Sequence, residues 1–131
     1  MNWEILIRIA GCGLLLIAAA NFFLPAMLDY AGNLGRVDRM FGQVFKVHCV
    51  YTMVTVSGMG LLCLWKPGFF LEHEVGRGLA VFYGLFWGSR FLIQVFYYDR
   101  SVRAKYRFWD YLFGAGFLGL GGGFLTIALL P

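Results

Sequence analysis

Four long apolar stretches, separated by short polar connections, make up most of the chain. They run roughly over residues 3–28, 44–65, 78–98 and 108–130. Each reaches the length of about 20 residues that a helix needs to cross the hydrocarbon core of a bilayer. The stretches are continuously apolar and show no alternation with period two, so they predict four membrane-spanning helices.

The composition supports a membrane as the solvent for this pattern. Of the 131 residues, 60% are hydrophobic and only 14% are charged, and the mean hydropathy is +0.72. A water-soluble domain of this length needs more polar surface than this chain supplies. We therefore predict a single all-α integral membrane domain over residues 1–131, folded as a transmembrane four-helix bundle.

The connection after the first span carries a helical pattern of its own. Leu34, Val37, Phe41 and Val44 recur at intervals of three or four residues, with charged residues between them. An apolar face opposite a charged face is typical of a helix that lies along a membrane surface. We predict a short interfacial helix between spans one and two, and we expect Pro25 to kink or end the first span.

Basic residues in the short connections predict the orientation of the chain. The first and third connections carry most of them: Arg36, Arg39, Lys46, Arg100, Arg103, Lys105 and Arg107. Such residues concentrate on the cytoplasmic side of membrane proteins. Both connections are therefore predicted to face the cytoplasm of a bacterial cell, with both termini outside the inner membrane. The net charge of +4 is explained by these membrane borders and indicates no nucleic-acid partner.

A polar face on the third span is the main candidate for a functional site. Its members are spaced by three or four residues, and each can donate a hydrogen bond: Tyr83, Trp87, Arg90, Gln94 and Tyr97. Arg90 is predicted to lie about 12 Å along the helix from Tyr98. An arginine at the centre of a bilayer costs about 2.5–3.5 kcal/mol on insertion scales. Its side chain is therefore expected to face the bundle or water.

The other predicted spans place polar groups at a similar depth, in the cytoplasmic half of the bundle. Asp110, at the start of span four, is the expected counter-ion of Arg90, and Asp29 and Asp99 are alternatives nearer the surface. Together these groups predict a polar layer that is also the candidate ligand site. It comprises Arg90, Gln94, His48, Asn21, Thr52, Trp87, Tyr83 and Asp110.

Two interpretations of the polar layer remain open at this point. As a closed network, it would fix how the helices register against one another, a use that buried ionic groups have in some proteins. As an open site, it would bring an anion or a carbonyl group to Arg90, because ionisable residues inside a membrane commonly mark functional sites. The ligand would then be a lipid phosphate, a carboxylate or a quinone carbonyl.

The remaining reactive residues specify no catalysis. His48 and His73 lie near opposite ends of the predicted bundle, which argues against a haem held by both. The three cysteines are odd in number and form no C-x-x-C pair, and we predict neither a metal site nor a cofactor. No acidic residue lies near the centre of a span, which argues against a proton-coupled exporter. Enzymatic activity stays uncertain, and its absence is favoured.

Span four is rich in glycine. Gly119 and Gly123 form a G-x-x-x-G pair, and Gly114 and Gly121 are expected to lie near the same side. Small residues let helix backbones approach one another closely in lipid. The glycines would therefore serve either tight packing within one chain or a seam between two copies of it.

Two segments resemble known membrane-protein families. The stretch WGSRFLIQVFYYD, residues 87–99, resembles a recurring W-G-x-R-x-x-I-Q-x-x-Y-Y-D pattern in uncharacterised small bacterial membrane proteins with four spans. That likeness, which extends to GQVFKVHCVYT at residues 42–52, implies a four-span fold and no particular activity. The stretch LIRIAGCGLLLIAAANFFLP, residues 6–25, is similar to DoxX-type proteins. Some DoxX-type proteins are membrane subunits of quinone-linked oxidoreductases.

Taken together, the sequence favours a non-enzymatic inner-membrane accessory or partner-binding subunit with a polar site around Arg90. A redox-linked membrane subunit that binds a quinone or a lipid head group at that site is the main alternative. An oligomeric transporter of a small anion is a third alternative. The expected partners are the lipid bilayer and other membrane proteins, or a second copy bound through the glycine-rich span four.

Overall fold

The structure of the chain is a computed structural model that describes residues 2–131. These residues are predominantly helical, with no strand among them. Four helical segments are long and apolar enough to cross a membrane: Trp3–Ala20, Arg39–Trp65, Glu74–Tyr97 and Arg107–Ala128. The prediction of an all-α chain with four helices of membrane-spanning length is therefore confirmed.

Short helices lie between the four long segments. In chain order the elements are α1 (Trp3–Ala20), α2 (Leu24–Met27), α3 (Tyr30–Leu34), α4 (Arg39–Trp65), α5 (Phe69–Glu72), α6 (Glu74–Leu92), a π-helix (Ile93–Tyr97), α7 (Arg100–Lys105) and α8 (Arg107–Ala128). The predicted and observed helix ends agree best where a proline follows the helix. Thus α4 ends at Trp65, two residues before Pro67, which cannot donate a backbone hydrogen bond.

The connection between α1 and α4 differs from the sequence expectation. The first span was expected to reach residue 28 and to be followed by one interfacial helix, but α1 ends at Ala20 and the segment after it forms α2 and α3, separated by a turn at Asp29. Asp29 adopts the left-handed conformation with φ of 51°, which interrupts a right-handed helix. Its side chain accepts a hydrogen bond from the backbone N–H of Gly32 at 3.2 Å, and this bond starts α3.

The start of α4 also differs from the sequence expectation, because the helix begins at Arg39 and not at residue 44. The side chain of Asp38 accepts a hydrogen bond from the backbone N–H of Met40 at 3.0 Å and so caps α4. The helix then continues without a break to Trp65. Phe41 and Val44, which the pattern placed on an interfacial helix, therefore belong to the long helix α4.

The chain divides into two compact units, the first ending at Trp65 and the second running over Lys66–Pro131. In the first unit α1 packs on α4 through glycine. A Cβ atom at Gly11 would lie 2.9 Å from the carbonyl oxygen of Gly60, and a Cβ at Gly60 would lie 2.9 Å from that of Gly11. Only glycine fits this approach. The guanidinium of Arg8 then donates to the Leu64 carbonyl, at 2.9 Å, near the end of α4.

The second unit packs α6 on α8 in a similar way. A Cβ at Gly121 would lie 2.7 Å from the backbone nitrogen of Gly88, so the two backbones meet there. Gly114 and Gly121 are buried, whereas Gly119 and Gly123 are exposed. The expectation that these four glycines share one side of the helix was therefore wrong, because residues 119 and 121 are separated by about 200° on an α-helix.

An arginine joins the ends of the second unit as well. Arg77, in the first turn of α6, donates from its guanidinium to the carbonyl oxygens of Leu130 and Pro131, just beyond α8. It also donates to the Leu71 carbonyl at 3.2 Å. Carbonyl groups in the last turn of a helix have no partner within the helix, and the Arg77 side chain supplies one for Leu71 in α5 and for Leu130 and Pro131 beyond α8.

The contact at Gly121 predicts a selective effect of alanine. Gly121→Ala should lower the free energy of unfolding by about 1–3 kcal/mol, since the added carbon forces the α6 and α8 backbones apart. Unfolding in detergent, followed by circular dichroism, measures the effect. The matched control is Gly116→Ala, on the same helix, where a Cβ meets open space. An equal loss in both variants would contradict the proposed backbone contact.

Candidate functional site

The polar face that the spacing predicts on the third span, which α6 and the π-helix form together, lies against α8 in the structure. The contacts run along both helices in register: Tyr83 meets Phe124, Trp87 and Arg90 meet Phe117, and Gln94 meets Asp110. Tyr83 and Trp87 are buried, at 3% and 2% exposure. Tyr97, the last member of the predicted face, is 78% exposed and lies outside this contact. The face is thus an interhelical face for four of its five predicted members.

Phe117 organises the centre of this face. The indole of Trp87 stacks on its ring, with ring centroids 5.5 Å apart and planes inclined by 22°. The guanidinium carbon of Arg90 lies 5.2 Å from the centroid of the same ring, within the range of a cation–π contact. The half-buried Arg90 side chain therefore lies against an aromatic ring of α8.

Asp110 is paired, but with a different arginine from the one expected. Its Oδ1 accepts from Nε of Arg103 at 3.0 Å and from Nε2 of Gln94 at 2.7 Å. The expectation that Asp110 would be the counter-ion of Arg90 was therefore wrong. Because α7 folds back beside the start of α8, it brings Arg103 to the carboxylate first.

Arg103 also closes the end of the π-helix. Its Nη1 donates to the Val95 carbonyl at 3.0 Å, in the segment where the backbone changes from α to π geometry. Such wider turns release carbonyl groups from their usual partners. The hydrogen bond that Arg103 donates to Asp110 raises the pKa of the Arg103 guanidinium, an effect that desolvation partly opposes. Arg103 therefore stays charged at physiological pH and holds three elements together. We call Gln94, Arg103 and Asp110 the carboxylate clamp.

Within Lys66–Pro131, Arg90 makes no salt bridge, and the carboxylate of Asp110 is paired with Arg103 instead. Trp87 contributes a second hydrogen-bond donor without a partner, in addition to the guanidinium of Arg90. Its Nε1 is buried and has no hydrogen-bond partner among the described residues, whereas buried indole N–H groups usually find one. Two donors, one turn apart on α6, are thus left without an acceptor.

The predicted site residues of the first unit make local hydrogen bonds. Asn21 Nδ2 donates to the Ile17 carbonyl at 2.9 Å, and Thr52 Oγ1 donates to the His48 carbonyl at 2.8 Å. His48 Nδ1 lies 3.0 Å from the Val44 carbonyl, which leaves Nε2 of the exposed ring available to a partner. The membership of Asn21, His48 and Thr52 in one site with Arg90 stays a prediction.

Sequence reasoning missed two residues of this region. Phe117 carries no signal in a helix that is apolar throughout, because every aromatic residue there is an equal candidate for packing. Arg103 did carry a signal: it lies seven residues before Asp110, across a helix break, and a polar connection this short can fold back. The polar pattern of residues 99–107 predicts a loop, whereas α7 occupies most of them.

The chemistry of the arrangement is that of binding. Arg90 and Trp87 only donate hydrogen bonds, and Oδ1 of Asp110 already accepts from Gln94 and Arg103. No group of three or more His, Cys, Asp and Glu side chains in residues 2–131 could hold a metal ion. The region is therefore suited to an acceptor such as a carbonyl, carboxylate or phosphate oxygen.

Comparisons with known proteins add no family to this description. No protein-family model, no curated protein and no solved structure matches the chain.

The carboxylate clamp predicts a loss of stability when one donor is removed. Gln94→Leu leaves the buried Asp110 carboxylate with one donor fewer and should lower the free energy of unfolding by about 1–3 kcal/mol. Unfolding of the purified protein in detergent tests this. Gln43→Leu is the matched control, since Gln43 is exposed on α4, and it should have little effect. A similar loss in both variants would show that Gln94 does not support Asp110.

Proposed function

We propose that the chain is a multi-pass inner-membrane protein that acts as a non-enzymatic accessory or partner-binding subunit, with its polar site centred on Arg90. Four helices of membrane-spanning length and the apolar composition support the membrane assignment. In this proposal they form one four-helix bundle, its first and third connections face the cytoplasm, and both termini face outward.

The observation that carries the site is the absence of a counter-ion for Arg90 in its own unit. The carboxylate closest to it along the polar face is engaged by Arg103 and Gln94. A guanidinium in a bilayer without a partner is costly, and the ring of Phe117 offsets only part of that cost. An acceptor group from a bound molecule would offset the rest of the cost of placing the Arg90 guanidinium in the bilayer.

The surroundings of Arg90 favour one alternative over the others. The unpartnered N–H of Trp87 and the guanidinium of Arg90 lie beside stacked aromatic rings, Trp87 on Phe117 and Phe117 on Phe113. Donors next to flat apolar surfaces suit a ligand that combines a ring or chain with an acceptor oxygen. A quinone or a lipid head group at this site is therefore the second candidate, as part of a redox-linked membrane subunit.

The site predicts that a molecule is retained by Arg90 during gentle extraction. Wild-type protein purified from native membranes should carry a bound small molecule or protein partner that native mass spectrometry detects. Arg90→Leu should reduce its occupancy about ten-fold or more, since a charge-assisted hydrogen bond is lost. Trp87→Phe keeps an aromatic ring but removes the N–H, and it should cause a smaller loss.

The controls for this experiment separate binding from folding. Arg36→Leu removes a cation from the exposed connection before α4 and should leave the occupancy unchanged. Circular dichroism in detergent checks that each variant is folded. If Arg90→Leu keeps the same bound molecule, or if the wild type carries none, Arg90 is part of a closed structural network and the proposed site is rejected.

The partner-binding proposal also has a candidate surface on α8. Gly119, Gly122 and Gly123 are exposed, and a Cβ at any of them meets open space. They are not used in the contact with α6, which Gly121 makes instead. We propose that this glycine surface binds a second copy of the chain or another membrane helix, because small residues allow close approach of helices in lipid.

The glycine surface predicts a specific loss of self-association. Wild-type protein should form dimers in lipid vesicles, measured as a dimer fraction by single-molecule photobleaching. Gly119→Ile should shift it to monomers, because the larger side chain prevents close approach. Gly78→Ile, at an exposed glycine of α6 where a Cβ also meets open space, is the matched control. A dimer fraction that Gly119→Ile leaves intact would exclude this surface.

A further inference from the structure

One connection of the chain carries positive charge that its own residues do not balance. The segment from Tyr98 to Arg107, which we call the basic hairpin, contains four cations and one acid. The connection at residues 21–39 holds two cations and two acids, and the connection at residues 66–74 holds one cation and two acids. Only the basic hairpin therefore has a marked net charge, of +3.

The structure divides these four cations into two kinds. Arg103 is turned into the carboxylate clamp, where Asp110 neutralises it. Arg100, Lys105 and Arg107 are exposed, and none of them makes a salt bridge within Lys66–Pro131. The contact of the Lys105 ammonium with the Tyr106 ring, at 5.4 Å, does not neutralise its charge. The clamp thus fixes α7 while three cations remain free for an outside partner.

Aromatic residues mark the depth at which these cations lie. Exposed aromatic side chains flank the basic hairpin on both sides: Phe96, Tyr97, Phe108 and Tyr111, with exposures of 79%, 78%, 69% and 67%. Tyrosine rings gather at the border between hydrocarbon and head groups. If α6 and α8 span the bilayer, the three free cations lie in the head-group layer, where phosphate groups are the nearest anions.

We propose that the basic hairpin is a binding surface for anionic phospholipid, formed by Arg100, Lys105 and Arg107. This surface is separate from the site around Arg90. Charge complementarity selects the occupant: zwitterionic lipids present no net charge, whereas phosphatidylglycerol presents a net negative one. Each cation near an anionic membrane surface contributes a factor of about five to the binding constant, and salt weakens the attraction because the groups are exposed.

The test measures lipid preference with purified components. The full chain is placed in nanodiscs that contain equal amounts of phosphatidylglycerol and phosphatidylcholine, and native mass spectrometry counts the lipids that remain bound. We expect phosphatidylglycerol to be retained about ten-fold or more over phosphatidylcholine at low salt, because three cations contribute to the attraction. The variant R100Q/K105Q/R107Q should lose that preference. The charge-conserving variant R100K/R107K should keep it, which also shows that the hairpin tolerates substitution.

A matched control removes the same number of charges elsewhere. The variant R36Q/R39Q/K66Q changes three cations of the other two connections and should retain the preference for phosphatidylglycerol. Equal preference in wild type and R100Q/K105Q/R107Q would overturn the proposal, and so would an equal loss in the control. A wild-type chain without any lipid preference would also overturn it and would point to a protein partner instead. Arg90 is unchanged in all these variants, so its site is tested independently.

Discussion

The carboxylate of Asp110 is the group on which the polar end of the second unit depends. One oxygen accepts hydrogen bonds from Gln94 on the π-helix and from Arg103 on α7, while the residue itself belongs to α8. Arg103 also holds the Val95 carbonyl. Three elements therefore meet at one charge. About two turns further along α8, Phe117 contacts Trp87 and Arg90 on the same side of α6, so the clamp and the aromatic contacts belong to one interface between α6 and α8.

The pairing of Asp110 with Arg103 also leaves Arg90 without its expected partner. Arg103 on α7 is paired with the acid that the sequence predicted as the partner of Arg90. The structure thus keeps one arginine neutralised beside the start of α8 and leaves another beside an aromatic ring, with an indole N–H one turn away. A closed structural network would be expected to pair these donors. Within Lys66–Pro131 they stay unpaired, and this favours a site that receives an acceptor.

The sequence predicts the four long helices well because apolar length alone defines them, and it predicts the polar face of α6 because its residues recur every three or four positions. It does not predict where a helix begins, or which side chains pair, when the local pattern of residues is compatible with several structures. Residues 39–45 form the first turns of α4, which begins after the capping residue Asp38. That start depends on one hydrogen bond, from the backbone N–H of Met40 to the Asp38 side chain. The partner of Asp110 depends on how α7 folds back. Depth along the chain suggested Arg90, but only the three-dimensional path of the connection could identify Arg103.

In both units an arginine on the first long helix donates hydrogen bonds to carbonyl groups at or just beyond the end of the second long helix. Arg8 on α1 reaches Leu64, and Arg77 on α6 reaches Leu130 and Pro131. In each case the donor is made early during translation and its acceptors are made late. A nascent chain therefore cannot complete either bond until the last turn of that unit has left the ribosome. During biosynthesis each of these two guanidinium groups must therefore be solvated by other groups until its acceptor carbonyl is made.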